Sequence, residues 1–160
     1  METQCKSEGL HTAVDTTGQT PWPVLEKILP YTDLLLYDLK QMGRDSHRDL
    51  TGVPNERILS NLSRLGDYGV PVEIRMPIIP GINDGRKEIE DTAQFLQDMR
   101  AITRVVLLPY HKLGEAKYAR LDREAYRLTD PASRRRSPAG DSRMGASLWS
   151  ERLCGLSGHA

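Results

Sequence analysis

Cysteine is almost missing from this chain of 160 residues: Cys5 and Cys154 stand near opposite ends and there are no others. Two thiols so placed make neither a disulfide framework nor a CxxC site, which points to a reducing, cytoplasmic setting. Net charge is missing as well, because 22 Lys and Arg balance 22 Asp and Glu. No global field therefore draws the chain to nucleic acid or to an acidic membrane surface, and any partner is recognised locally. No stretch approaches the roughly 18 apolar residues of a membrane span, and the first eight residues lack the basic-then-apolar character of a signal peptide. HExxH, GxGxxG and the phosphate-binding GxxxxGKS/T are all absent, as is a nucleophile-base pairing, so zinc, nucleotide-phosphate and hydrolase chemistries gain no support.

What is present, up to about residue 128, is an alternation of short apolar strands with helical patterns, the signature of βα units on a parallel sheet. Strands are predicted over Leu10–Thr16, Leu34–Lys40, Val70–Pro77 and Val105–Tyr110. Between them lie a helix over Pro23–Leu29, a second carrying Ile58, Leu59, Leu62 and Leu65 behind a capping Asn55, and a third carrying Ile89, Ala93 and Leu96. Cys5–Gly9 reads as the last turn of a helix stopped by glycine. In the third strand Val70, Val72, Ile74 and Met76 share one face, assigned to the helix layer, and Glu73 and Arg75 share the other. The expected fold is α/β, a partial barrel of about four parallel strands truncated at its N-terminus, since a complete barrel typically needs about 200 residues or more.

From Thr129 onward the composition changes to Arg, Ser, Gly and Ala, with no further Lys, Val, Ile, Phe or Tyr. The chain accordingly divides into a barrel portion over residues 1–128 and an irregular tail over 129–160, which cannot bury much and is consistent with a shifted reading frame. Arg134–Arg136 is read as part of that bias rather than as a nucleic-acid patch.

Working groups of a parallel barrel collect at the C-terminal ends of its strands. The polar residues predicted there are Asp15, Asp38, Lys40, Arg75 and His111. Each has an ordinary reading: an Asx turn at Asp15, an interior ion pair between Asp38 and Lys40, a pair between Arg75 and Glu73, and a backbone-bonded loop histidine at His111. Together they would require four coincidences at one end of one sheet, so a shared site is preferred. Carboxylates suit a hard cation, and Lys40 and Arg75 suit a carboxylate, so the amino-acid end of a small molecule fits the set. A Schiff-base enzyme using Lys40 remains an alternative, as does a chain that binds a ligand or a partner without chemistry.

Five ordered blocks carry a resemblance. They are His11–Gly18 (HTAVDTTG), Tyr37–Met42 (YDLKQM), His47–Arg57 with its TGVPN, Arg75–Asp84 (RMPIIPGIND) and Leu107–Gly114 (LLPYHKLG). Over roughly residues 5–128 the chain resembles the glycyl-radical-enzyme activating family of radical S-adenosylmethionine proteins. The resemblance implies a partial (βα)6 barrel that binds S-adenosylmethionine against a [4Fe-4S] cluster and cleaves it reductively. It further implies a glycyl radical enzyme such as pyruvate formate-lyase as partner, and a flavodoxin or ferredoxin as electron donor. Asp15, with Asp38 nearby, matches the position beside a monovalent cation, and Thr16, Lys40, Arg75 and His111 match positions around the cofactor. The family's CxxxCxxC motif and its glycine-rich GGEP-like segment are not in this sequence, so the chain alone is expected to be inactive.

Overall fold

The computed structural model describes residues 2–109. In chain order these form α1 (Glu2–Ser7), β1 (Ala13–Thr16), α2 (Trp22–Ile28) running into a 3-10 turn (Leu29–Tyr31), β2 (Leu34–Asp38), α3 (Arg44–Thr51), α4 (Glu56–Tyr68), β3 (Val72–Ile78), α5 (Arg86–Leu96) and β4 (Ile102–Pro109). The four strands are parallel and lie in sequence order, β1-β2-β3-β4. Sequential order without reversal keeps right-handed crossovers on one side, which is how a barrel wall is built.

One face of the sheet makes the core. Leu35 and Tyr37 from β2, Leu39 just beyond it, and Val72, Ile74 and Met76 from β3 are buried against Leu25 of α2, Leu29 of the 3-10 turn, Ile58, Leu62 and Leu65 of α4, and Ile89 and Leu96 of α5. In α4 the buried positions 58, 61, 62 and 65 fall at helical spacing, so a single stripe meets the sheet. Each fully buried leucine or isoleucine contributes roughly 1.5–3 kcal/mol relative to exposure, and this layer is the main adhesive of the fold. With that face sealed, Asp15, Asp38, Glu73 and Arg75 are left on the opposite side, as strand alternation requires.

Several boundaries differ from expectation. The first strand begins at Ala13 rather than Leu10, because the Thr12 N–H is taken by the Asp33 carboxylate (2.8 Å), which also pairs with Lys6 of α1. Residues 44–51, not predicted as helix, form α3, whose one buried residue is His47. Asn55 does precede α4, yet its side chain makes no capping bond. The fourth strand starts three residues earlier than expected, and the predicted Tyr110, His111 and tail 129–160 lie outside the described residues.

Tyr37 pins the loop after β1. Its hydroxyl donates to the Ile58 carbonyl (2.7 Å), burial pushes the phenol pKa up and keeps it a neutral donor, and its ring lies where a Cβ on Gly18 would have to go. Gly18 also adopts the left-handed φ of 70°. Gly18→Ala is therefore expected to lower stability by more than about 1 kcal/mol in urea unfolding, since both strain and overlap oppose it. Asp33 yields a pH prediction. The Lys6 ammonium and the Thr12 N–H lower its pKa from 3.8 to about 2. A lowered folded-state pKa stabilises above the unfolded value and loses that contribution as pH falls through the folded one. Wild type should thus exceed Asp33→Asn in stability at pH 5 and above, with the difference shrinking between about pH 4 and pH 2.

Candidate functional site

Three adjacent strands deliver charged groups to one end of the open face. The parallel register sets Asp38 directly beside Arg75, and places Asp15 of β1 beside Leu36, two residues before Asp38. Arg75 Nη2 donates to Asp38 Oδ1 at 2.8 Å and also pairs with Asp15 Oδ1; its Nε lies 3.2 Å from the same Asp38 oxygen. Lys40 Nζ donates to the other oxygen, Asp38 Oδ2, at 3.0 Å. Asp38 is thus shared by two cations, and Arg75 by two anions. The Asp15 and Asp38 carboxylates raise the pKa of Arg75, Asp15 most. Asp38 and Arg75 are each about a quarter exposed (24% and 23%), so their pair is better shielded from water than the one to Asp15, which is 59% exposed.

The possible pairing of Arg75 with Glu73 does not occur. Glu73 instead accepts from Arg104 of β4, at 2.8 Å from Nε and 2.5 Å from Nη2. Arg75 is therefore committed to the other strands, towards β1 and β2. Thr16 does not join the group, because it follows Asp15 directly and so points to the other side of the sheet, where its Oγ1 accepts the Gly18 N–H at 3.0 Å. That turn is made by Thr16 rather than by Asp15.

Beside Asp38 and Lys40 lies a cavity of about 240 Å³, walled by the loop after β1 (Thr17, Gln19) and by α3 with its C-terminal turn (His47, Thr51). His47 is only 3% exposed; its Nδ1 donates to the Val53 carbonyl at 2.7 Å, which folds the turn back on the helix. The spacing of apolar residues did not reveal this wall, since α3 is polar almost throughout. The only sign of it in the sequence is the TGVPN block that follows His47.

Of the groups implied by the resemblance, a cation between Asp15 and Asp38 would have to displace the Arg75 guanidinium, which touches an oxygen of each carboxylate. Among the described residues no three His, Cys, Asp or Glu side chains are grouped to hold a metal ion. An iron-sulfur cluster of this type needs three cysteine thiolates; the chain has two cysteines, and Cys5 is a free thiol on α1, so its residues do not fit the cluster. The zwitterionic end of an amino acid does fit. Two carboxylates and two cations alternate in contact and sum to zero, so either charge of such a ligand finds an opposite partner.

No protein-family model matches the chain. It is 41% identical over 120 residues to the choline trimethylamine-lyase activating enzyme of Oleidesulfovibrio alaskensis, covering 73% of this chain and 39% of that protein. To the pyruvate formate-lyase 1-activating enzyme of Escherichia coli it is 39% identical over 126 residues, covering 78% and 51% respectively. The chain thus spans about half or less of the length of these curated relatives. A solved domain of the pyruvate-formate lyase-activating enzyme from Bacteroides vulgatus superimposes with a TM-score of 0.71 at 28% identity, over 94% of this chain and 82% of that one. With the parallel sheet and the blocks at its strand ends, these likenesses show that the chain belongs to the glycyl-radical-enzyme activating family of radical S-adenosylmethionine proteins.

Proposed function

We propose that this chain supplies the part of a glycyl-radical activase that receives the amino-acid end of S-adenosylmethionine, using Asp15, Asp38, Lys40 and Arg75. The observation that carries the reading is the charge-neutral quartet at the ends of three neighbouring strands, open to solvent on one side and bordered by the 240 Å³ cavity on another. An entering carboxylate draws on Lys40 and Arg75, and the ligand ammonium replaces them on Asp15 and Asp38. Ion pairs are exchanged rather than created, so little desolvation is left uncompensated. His111, outside the described residues, belongs to the same proposed set, whereas Thr16 contributes through the turn that places Asp15.

The wider activity we propose is the one the resemblance implies: cleavage of S-adenosylmethionine to form a glycyl radical on a partner enzyme, with an electron from a flavodoxin or ferredoxin. Because its cysteines do not fit the cluster, binding is the part of that activity assigned to this chain. The Schiff-base alternative is not favoured, since the Lys40 ammonium is held by Asp38 instead of standing unpaired in an apolar pocket.

Equilibrium dialysis with labelled S-adenosylmethionine tests the proposal. Saturable binding is expected, weakened about tenfold by Arg75→Ala, since the bound ligand carboxylate loses a charged hydrogen-bond partner worth about 1.4 kcal/mol. A folded chain that shows no saturable binding would count decisively against it. After anaerobic treatment with iron, sulfide and reductant, the chain is expected to form no 5′-deoxyadenosine from S-adenosylmethionine; its appearance would show that catalysis had been wrongly excluded.

A further inference from the structure

The main-chain ladder between β2 and β3 runs out just where the charged groups are needed. Its last bond there joins the Leu39 N–H to the Arg75 carbonyl at 3.0 Å. One step further along, the Lys40 and Pro77 carbonyls come together as two acceptors, which cannot bond each other. The Asn83 carboxamide stands between them: Nδ2 donates to Lys40 O at 2.9 Å and to Pro77 O at 2.7 Å, while Oδ1 accepts the Ile79 N–H at 2.7 Å. Asn83 is 2% exposed, so no water can substitute for it cheaply.

We infer that Asn83 is a positioning residue for the ligand carboxylate: it extends the ladder by one side-chain rung and thereby fixes Lys40 relative to Arg75. The inference rests on the binding role proposed for the quartet. Two other asparagines use the same device on neighbouring loops. Asn55 Nδ2 donates to Gln41 O (2.9 Å) and Met42 O (2.8 Å), securing the chain just after Lys40. Asn61 Nδ2 donates to Gly18 O and Thr20 O, both at 2.8 Å, securing the loop after β1. Asn61 is equally buried and satisfies the same number of carbonyls, but both belong to the loop after β1 and neither to β2 or β3, which makes it the matched control.

The test compares the affinities of the full chain for S-adenosylmethionine and for decarboxylated S-adenosylmethionine, which lacks the carboxylate. Wild type should prefer the former. Asn83→Ala should reduce that preference about tenfold, the equivalent of one buried donor lost, whereas Asn61→Ala should leave the ratio unchanged even if it weakens both ligands. An unchanged ratio in Asn83→Ala, or an equal fall in Asn61→Ala, overturns the assignment. Asn83→Ser, which keeps one polar group, gives the same comparison if the alanine variant does not fold. A second readout needs no ligand: exchange of the Arg75 Nε–H with solvent, followed by NMR, should accelerate about tenfold in Asn83→Ala and not in Asn61→Ala. Wild type binding neither ligand would sink the binding proposal, while the exchange rates would still decide whether Asn83 positions Arg75.

Discussion

A parallel sheet covered by helices on one face leaves its strands no choice about where alternate residues go. In β3 the burial of Val72, Ile74 and Met76 against α4 and α5 obliges Glu73 and Arg75 to project from the other face. In β2 and the two residues beyond it, Leu35, Tyr37 and Leu39 impose the same condition on Asp38 and Lys40. The site therefore depends on apolar packing on the opposite side of the sheet, and moving either strand by one residue would exchange the two sets. Burying an arginine beneath the helices would cost several kcal/mol, so packing and electrostatics favour the same register.

That register also decides which charges meet. Alternation alone puts Glu73 and Arg75 on a common face and leaves open that they pair within the strand. Placement of β4 settles the matter, because Glu73 lies beside Arg104 and forms two hydrogen bonds to it. With Glu73 engaged on one flank, the guanidinium of Arg75 is shared between Asp38 and Asp15 on the other. A charge-neutral cluster built this way needs no further counter-ion, yet each member keeps a strong partner that a ligand can replace.

Much of this is legible in the sequence. The four strands, the stripes of α4 and α5 and the convergence of Asp15, Asp38, Lys40 and Arg75 follow from alternation, helical period and strand-end placement. Thr16 shows a constraint present in the sequence but outweighed by the resemblance: adjacent residues of a strand face opposite ways, so Asp15 and Thr16 could not both join one cluster. Other features were not readable. α3 buries His47 and otherwise faces outward, so it carries no apolar period. The late start of β1 depends on Asp33, twenty-one residues away, which takes the Thr12 N–H. The partner of Glu73 comes from the placement of β4. These are tertiary choices, which local propensity and period do not encode.

The support beneath the site uses a different chemistry from the site itself. Where loops turn away from the sheet their carbonyls lose ladder partners, and a charged donor placed there would compete for Asp15 and Asp38. Carboxamides avoid this conflict: Asn55, Asn61 and Asn83 each supply two N–H donors, carry no charge and do not titrate. The framework is consequently insensitive to the charge redistribution that a zwitterionic ligand brings. Ion pairs of the quartet can be exchanged while the neighbouring carbonyls stay fixed, which allows a rigid scaffold and an adaptable site to share the same strand ends.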